Sequence, residues 1–264
     1  MNIQAIIDRM ETLAPQNLAL DWDNPGLLVG DPQQSVTGVL LCLDVNQAVI
    51  EEAIRLNANL IISHHPIIFK AIQQVTTATP QGQWMINMIK HNISLYTSHT
   101  NLDIAAGGVN DSLFEALGLV NKQGLVPQGE GQFLGRVGDT RTAYTLQSFA
   151  THVAAQLGTD MVRYVGNADS PVNRVALCGG AASDAEFFST AKAQGADVYI
   201  TGDIRYHDTQ IAQGLGLNLI DGTHYATENL AMKDVAQYLT QHTTGLHIHV
   251  SSIDLQPFQG IAHR

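Results

Sequence analysis

The feature that most constrains this chain is the regular alternation of short apolar runs with longer amphipathic ones. GVLLCLDV, ANLIISHH, ISLYTS, RVALCGG, ADVYITGD and LNLIDGTH read as strands. NIQAIIDRMETLA, NQAVIEEAIRLN, GQWMINMIKHN, VNDSLFEALGL, SFATHVAAQLG, SDAEFFSTAKAQG and ATENLAMKDVAQYLTQH read as helices. Strands that are apolar throughout belong to sheets covered on both faces. Strands that alternate with helices build parallel βαβ units. The expectation is an α/β protein with a three-layer α/β/α arrangement and mixed, mostly parallel sheets.

One strand–helix–strand unit occurs twice. Val39 to Cys42 aligns with Val175 to Cys178, and Asn57 to Ser63 aligns with Gly195 to Thr201. Each copy continues into a further short strand and then a His-x3-carboxylate pair, His99 with Asp103 and His224 with Glu228. This predicts two similar halves from an internal duplication. The first half spans 1–125 and is joined by the C-terminal strand region 245–264; the second spans 126–244. Between the copies, Val120 to Asn173 is richer in glycine and polar residues and reads as the connection and the opening of the second half.

Composition narrows the function classes. Of 264 residues, 45% are hydrophobic, enough for a substantial core. A formal charge of −11 with only 13 scattered Lys and Arg argues against a broad nucleic-acid surface. No apolar run approaches the roughly 20 residues of a membrane span, and MNIQAIIDRM lacks a signal-peptide pattern, so the expected location is cytoplasmic. Cys42 and Cys178 lie in strand-like segments and read as buried free thiols. The unusual entry is eleven histidines.

Their placement points to metal chemistry. His64 and His65 end an apolar strand just before Pro66, which lacks a ladder N–H and stops pairing there. Ligands of open α/β sheets collect at the carboxyl ends of strands, where both imidazoles can turn into one crevice. The pairs His99/Asp103 and His224/Glu228 also follow strands, and the i, i+4 spacing of the second places both on one helix face. Imidazole and carboxylate ligands without thiolate suit Zn, Fe, Mn or Ni. These groups exceed the needs of one four-coordinate ion, and a carboxylate can bridge, so two divalent ions follow. His247 and His249 in HIHV sit at strand spacing but have no carboxylate motif beside them and read as surface residues. GEGQFLG lacks the Lys-Ser/Thr of a phosphate loop and a convincing preceding strand.

ISHHPIIF, SHTNLD, GGVND, TGDIRYHD, GTHYATE and WDNPGLLVG together resemble the Nif-three-like family, whose members are labelled homologues of GTP cyclohydrolase 1 type 2. The resemblance covers essentially the whole chain. It implies a dinuclear metal centre with His64, His65, Asp103, His224 and Glu228 as ligands, in a toroidal homohexamer. It leaves His99 outside the ligand set, as a pocket or supporting residue. Asp203 and His207 in TGDIRYHD are further candidates for contacting substrate or orienting ligands. The activity it implies is metal-dependent hydrolysis of a nucleotide or another small cyclic amide or phosphoester. The alternative is a metal-handling or regulatory protein that uses the same ligands without turnover.

Overall fold

The computed structural model describes residues 1–259; the last five residues of the C-terminal region 245–264 lie outside it. In chain order the elements are α1 (Ile3–Leu13), β1 (Gly26–Val29), β2 (Val39–Cys42), α2 (Gln47–Arg55), β3 (Leu60–Ser63), α3 (Pro80–Lys90), β4 (Ser94–Thr97) and α4 (Thr100–Ile104). Then come α5 (Val109–Ala116), β5 (Val120–Gly129), β6 (Gln132–Thr145), α6 (Leu146–Leu157), β7 (Arg163–Val165), β8 (Pro171–Leu177) and α7 (Ala185–Ala193). The chain closes with β9 (Val198–Thr201), α8 (Tyr206–Gly214), β10 (Asn218–Asp221), α9 (His224–Asn229), α10 (Ala231–His242) and β11 (Ile248–Val250). Two compact units result. The first contains Met1–Gly108 and Met232–Leu255; the second contains Val109–Ala231 and residues 256–259.

The first unit holds a five-stranded sheet in the order β1-β4-β3-β2-β11, parallel except for β1 against β4. Every residue of β2, β3 and β4 is buried, the condition that keeps these strands largely apolar in sequence; the buried hydroxyls of Ser63 and Thr97 pair with each other at 2.9 Å. Leu40, Cys42, Ile61 and Leu95 pack on Val49, Ile50 and Ala53 of α2 and on Met85 and Met88 of α3. Asn46 starts α2 by accepting from the Val49 amide at 3.0 Å, which satisfies one of the helix's open donors. The C-terminal segment is tied back onto α2, where the buried Glu52 carboxylate accepts from the Ser252 amide and the hydroxyls of Ser251 and Ser252. These bonds hold the Glu52 carboxyl below its ordinary pKa against the opposing pull of burial.

The second unit holds a six-stranded sheet in the order β5-β6-β8-β9-β10-β7. Its central strands β8, β9 and β10 are parallel, while β5–β6, β6–β8 and β10–β7 are antiparallel. This sheet is mixed rather than mostly parallel. The difference comes from residues 120–145, whose polar composition suggested a connection. They form a long hairpin with much of β5 exposed, and an antiparallel strand with one wet face need not be apolar. GEGQFLG therefore does follow a strand, as the turn between β5 and β6, but it leads into another strand and not the helix a phosphate loop requires. Alternate residues of the parallel strands face opposite layers. Val175, Leu177, Val198, Ile200 and Ile220 meet Leu113, Phe149 and Val153 from α5 and α6. Ala176, Tyr199 and Leu219 meet Phe187, Phe188 and Ala212 from α7 and α8.

The element order matches between units: α1-β1-β2-α2-β3-α3-β4-α4 against α6-β7-β8-α7-β9-α8-β10-α9. In each, the first strand of this series lies antiparallel beside the last. One helix expected from sequence, ATENLAMKDVAQYLTQH, is two, α9 and α10. Cys42 and Cys178 are both buried and joined in no disulfide. Among the described residues no helix is long and apolar enough to cross a membrane.

Candidate metal centre

In the first unit the site grows from the ends of β3 and β4. The amides of His64 and His65 donate to Cys42 O at 3.1 Å and Leu43 O at 2.9 Å, so the chain is held to its neighbour up to Pro66. The two rings nevertheless converge, with centroids 5.0 Å apart. His99, which follows β4, adds a third ring at 5.1 Å from His64 and 5.5 Å from His65. One ring nitrogen from each of the three lies within 4.8 Å of the others.

The second nitrogen of each ring is already committed. Nδ1 of His64 contacts Ser98 O at 3.0 Å, Nδ1 of His65 contacts Asp44 Oδ1 at 2.8 Å, and Nδ1 of His99 contacts Asp23 Oδ1 at 2.8 Å. Carbonyl and carboxylate oxygens only accept, so each Nδ1 carries the proton and donates it. Neutral imidazole then presents a lone pair at Nε2, which is how metal-ligating histidines are commonly oriented. His64 Nε2 is 3.6 Å from Asp103 Oδ1, which α4 supplies. Two ligands about 2.0–2.2 Å from one tetrahedral ion stand about 3.3–3.6 Å apart, so this pair has the separation of ligands.

A buried polar network fixes this cluster. The Asp23 carboxylate accepts from the Thr100 amide at 3.0 Å and its hydroxyl at 2.5 Å as well as from His99. Burial raises the Asp23 carboxyl, but these hydrogen bonds outweigh it and hold its pKa at about 2. Asn101 Nδ2 donates to Ala14 O at 2.7 Å, anchoring the start of α4.

The second unit builds a matching pair. His224 Nδ1 lies 2.8 Å from Asp203 Oδ2, and His224 Nε2 lies 3.1 Å from Glu228 Oε2 one helical turn on. Glycines make the space. An added Cβ at Gly202 would lie 2.5 Å from the His224 amide nitrogen, which explains TGD where the first half has SHH. Gly180, at φ +69°, would place a Cβ 2.1 Å from Glu228 Oε1. Its amide donates to Thr227 Oγ1 at 3.0 Å and its carbonyl accepts from the Gly202 amide at 2.6 Å. Asp203 and Thr223 both have positive φ, 52° and 66°. For β-branched Thr223 this is a strained backbone, of the kind that concentrates at functional sites.

The expected residues separate clearly. Among the described residues, every grouping able to hold an ion draws on His64, His65, His99, Asp103, His224 and Glu228. Asp203 orients His224. His207 is exposed on α8, where its ring meets Tyr206 at 5.2 Å and its Nδ1 is 3.5 Å from Gln210. His247 and His249 stack 6.3 Å apart along β11. The sequence reading missed Asp23 and Asp44 as orienting carboxylates. Asp44 carried a usable signal, an acid at the carboxyl end of a core strand; Asp23 is 76 residues from His99 and carried none.

A sequence profile described as Duf34/NIF3 (NGG1p interacting factor 3) matches residues 1–257. The chain belongs to this family. Among Duf34/NIF3 relatives, a Clostridium perfringens protein named GTP cyclohydrolase 1 type 2 homolog is 37% identical over 232 residues, covering 86% of this chain and 87% of its own. One of the same name from Lactococcus lactis is 35% identical, covering 99% and 100%. The crystal structure of a Bacillus cereus protein related to NIF3 superposes with a TM-score of 0.95 at 29% identity, covering 99% of both chains.

Proposed function

We propose that the chain holds two divalent transition-metal ions through His64, His65, Asp103, His224 and Glu228, and uses them to hydrolyse a nucleotide or another small cyclic amide or phosphoester. The observation that carries this reading is the common arrangement of the ligand histidines. Each has Nδ1 held against an oxygen acceptor, the contact that commonly orients a metal-ligating ring with Nε2 as its coordinating atom. Bound ions of this kind lower the pKa of a water and polarise an electrophilic carbon or phosphorus. The protein's own residues set the geometry: Asp44 and Asp203 keep His65 and His224 aimed, and Asp23 does the same for His99, which the ligand set leaves for contact with substrate. The relatives' printed name supplies the nucleotide substrate class; the donor set supplies the chemistry.

We also read the two units as duplicated copies of one α/β/α unit, on the matching element order and edge pairing, and the assembly as a toroidal homohexamer. Sedimentation that finds a species other than six chains removes the hexamer.

Elemental analysis of protein purified without added metal should find close to two transition-metal ions per chain, reduced in His65→Ala and Glu228→Ala. Unchanged metal content in both variants overturns the ligand assignment. The metal-loaded protein is then screened against nucleotides, phosphodiesters and cyclic amides, with Glu228→Ala as control. Two bound ions with no turnover of any of these classes would favour the metal-handling alternative over hydrolysis.

A further inference from the structure

Two large aromatic side chains of the first unit are exposed side by side next to the histidine cluster. Trp22 is 56% and Phe69 46% exposed, and their rings meet at 5.6 Å. Both turn toward the same imidazole: His99 lies edge-on at 6.0 Å from Trp22 and 6.3 Å from Phe69. His99 in turn touches His64 and His65. A continuous line of rings therefore leads from solvent to the buried His64 ring.

The pair is held in place by the same network that orients His99. Trp22 directly precedes Asp23, which accepts from His99 and Thr100, and the Asp23 amide donates to Leu20 O at 2.9 Å. On the other side, Asn24 Nδ2 donates to Ile68 O at 2.6 Å, stapling the turn that carries Trp22 to the segment that carries Phe69. Single exposed apolar residues are ordinary on a protein surface. Two rings in contact at 50° to one another, fixed at both ends and abutting the candidate reactive cluster, form a corner in which a flat ring can stack on one aromatic face and meet the other obliquely.

We propose that Trp22 and Phe69 form the recognition platform for the substrate, stacking a planar heteroaromatic ring so that its reactive edge extends past His99 toward His64 and His65. This rests on the hydrolase reading above and specifies its substrate class. Stacking on an aromatic face tolerates many ring types, because every base has a π-face. The platform selects planarity, and the polar groups beyond it select the reacting bond.

The test uses the protein as purified, with metal content measured on the same sample. In a Trp84→Phe background Trp22 is the sole tryptophan. Its emission is followed while guanosine, adenosine, cytidine and a pteridine are added, with ribose as the non-aromatic control. At least the bicyclic rings should quench saturably, and ribose should not. Phe69→Leu, which keeps bulk and loses the π-face, should weaken binding about tenfold, and Phe69→Tyr should restore it. Metal content should stay at the parent value in both. No saturable quenching by any of the rings, or equal affinity in Phe69→Leu and Phe69→Tyr, overturns the platform while leaving the metal reading intact. A change in sedimentation of Phe69→Leu also overturns it, assigning the pair to a contact between chains. Loss of metal from the parent protein is the separate failure that strikes the hydrolase reading.

Discussion

Gly180→Ala tests the position of Glu228 without touching a ligand. Gly180 has φ +69°, and alanine there adopts a left-handed backbone at about 1–2 kcal/mol. Gly158, the residue that ends α6, has a similar φ of +63° and nothing within 4 Å of an added Cβ. Gly158→Ala therefore measures the backbone cost alone, a fall in Tm of about 2–4 °C per kcal/mol. Gly180→Ala carries that cost and also sets a methyl 2.1 Å from Glu228 Oε1 and 3.1 Å from its Cδ. Ordinary contact is about 3.5 Å, so the carboxylate must retreat by about 1.4 Å, which disturbs its placement relative to His224 Nε2, 3.1 Å from Oε2 in the parent. Displacing a group that shapes a metal site typically costs about 10- to 100-fold in affinity. Calorimetric zinc titration of chelator-treated protein, beside thermal denaturation without metal, separates the two effects. Gly158→Ala should bind zinc like the parent, and Gly180→Ala should bind at least about tenfold more weakly. Equal affinity in the two variants would refute Glu228 as a ligand.

Three other outcomes follow from the same geometry. Asp23 ionises at about 2 in the folded chain against an ordinary 3.8, so its stabilisation is complete above about pH 4 and disappears as pH falls toward 2. Asp23→Ala should then lose about 2 kcal/mol in denaturant unfolding at pH 7, and its curve should meet the parent's near pH 2. Asp44→Asn and Asp203→Asn remove the charge that aims His65 and His224 from half-exposed positions. Zinc affinity by calorimetry should fall about 10- to 100-fold, while metal-free stability shifts by no more than about 0.5 kcal/mol. Phe188 is fully buried between α7 and the second sheet, so Phe188→Ala should cost about 3–5 kcal/mol in denaturant unfolding, with unchanged zinc affinity.

Much of the scaffold was legible because strands buried on both faces leave an unmistakable trace. β2, β3, β4, β9, β10 and the second half of β8 fall in the runs read as strands, and the doubled βαβ pattern foreshadowed the matching element order. The hairpin of β5 and β6 was illegible for the complementary reason: its solvated face permits polar residues and glycine, the signature also of a loop. β1 and β7 are short edge strands whose pairing with β4 and β10 is set by neighbours far away in sequence.

The sequence by itself determined the residue types of a candidate nitrogen and oxygen metal site, their attachment to strand ends, and the family. It did so because ligand chemistry and i, i+4 spacing are local properties of the chain. Only the tertiary structure decided how the imidazoles face. Asp23 with His99, Asp44 with His65 and Asp203 with His224 are separated by 76, 21 and 21 positions, and no spacing rule links them. It also decided that Gly180 and Gly202 are spaces kept open for Glu228 and His224. A side chain's absence has meaning only against what packs there, and packing is a property of the folded chain.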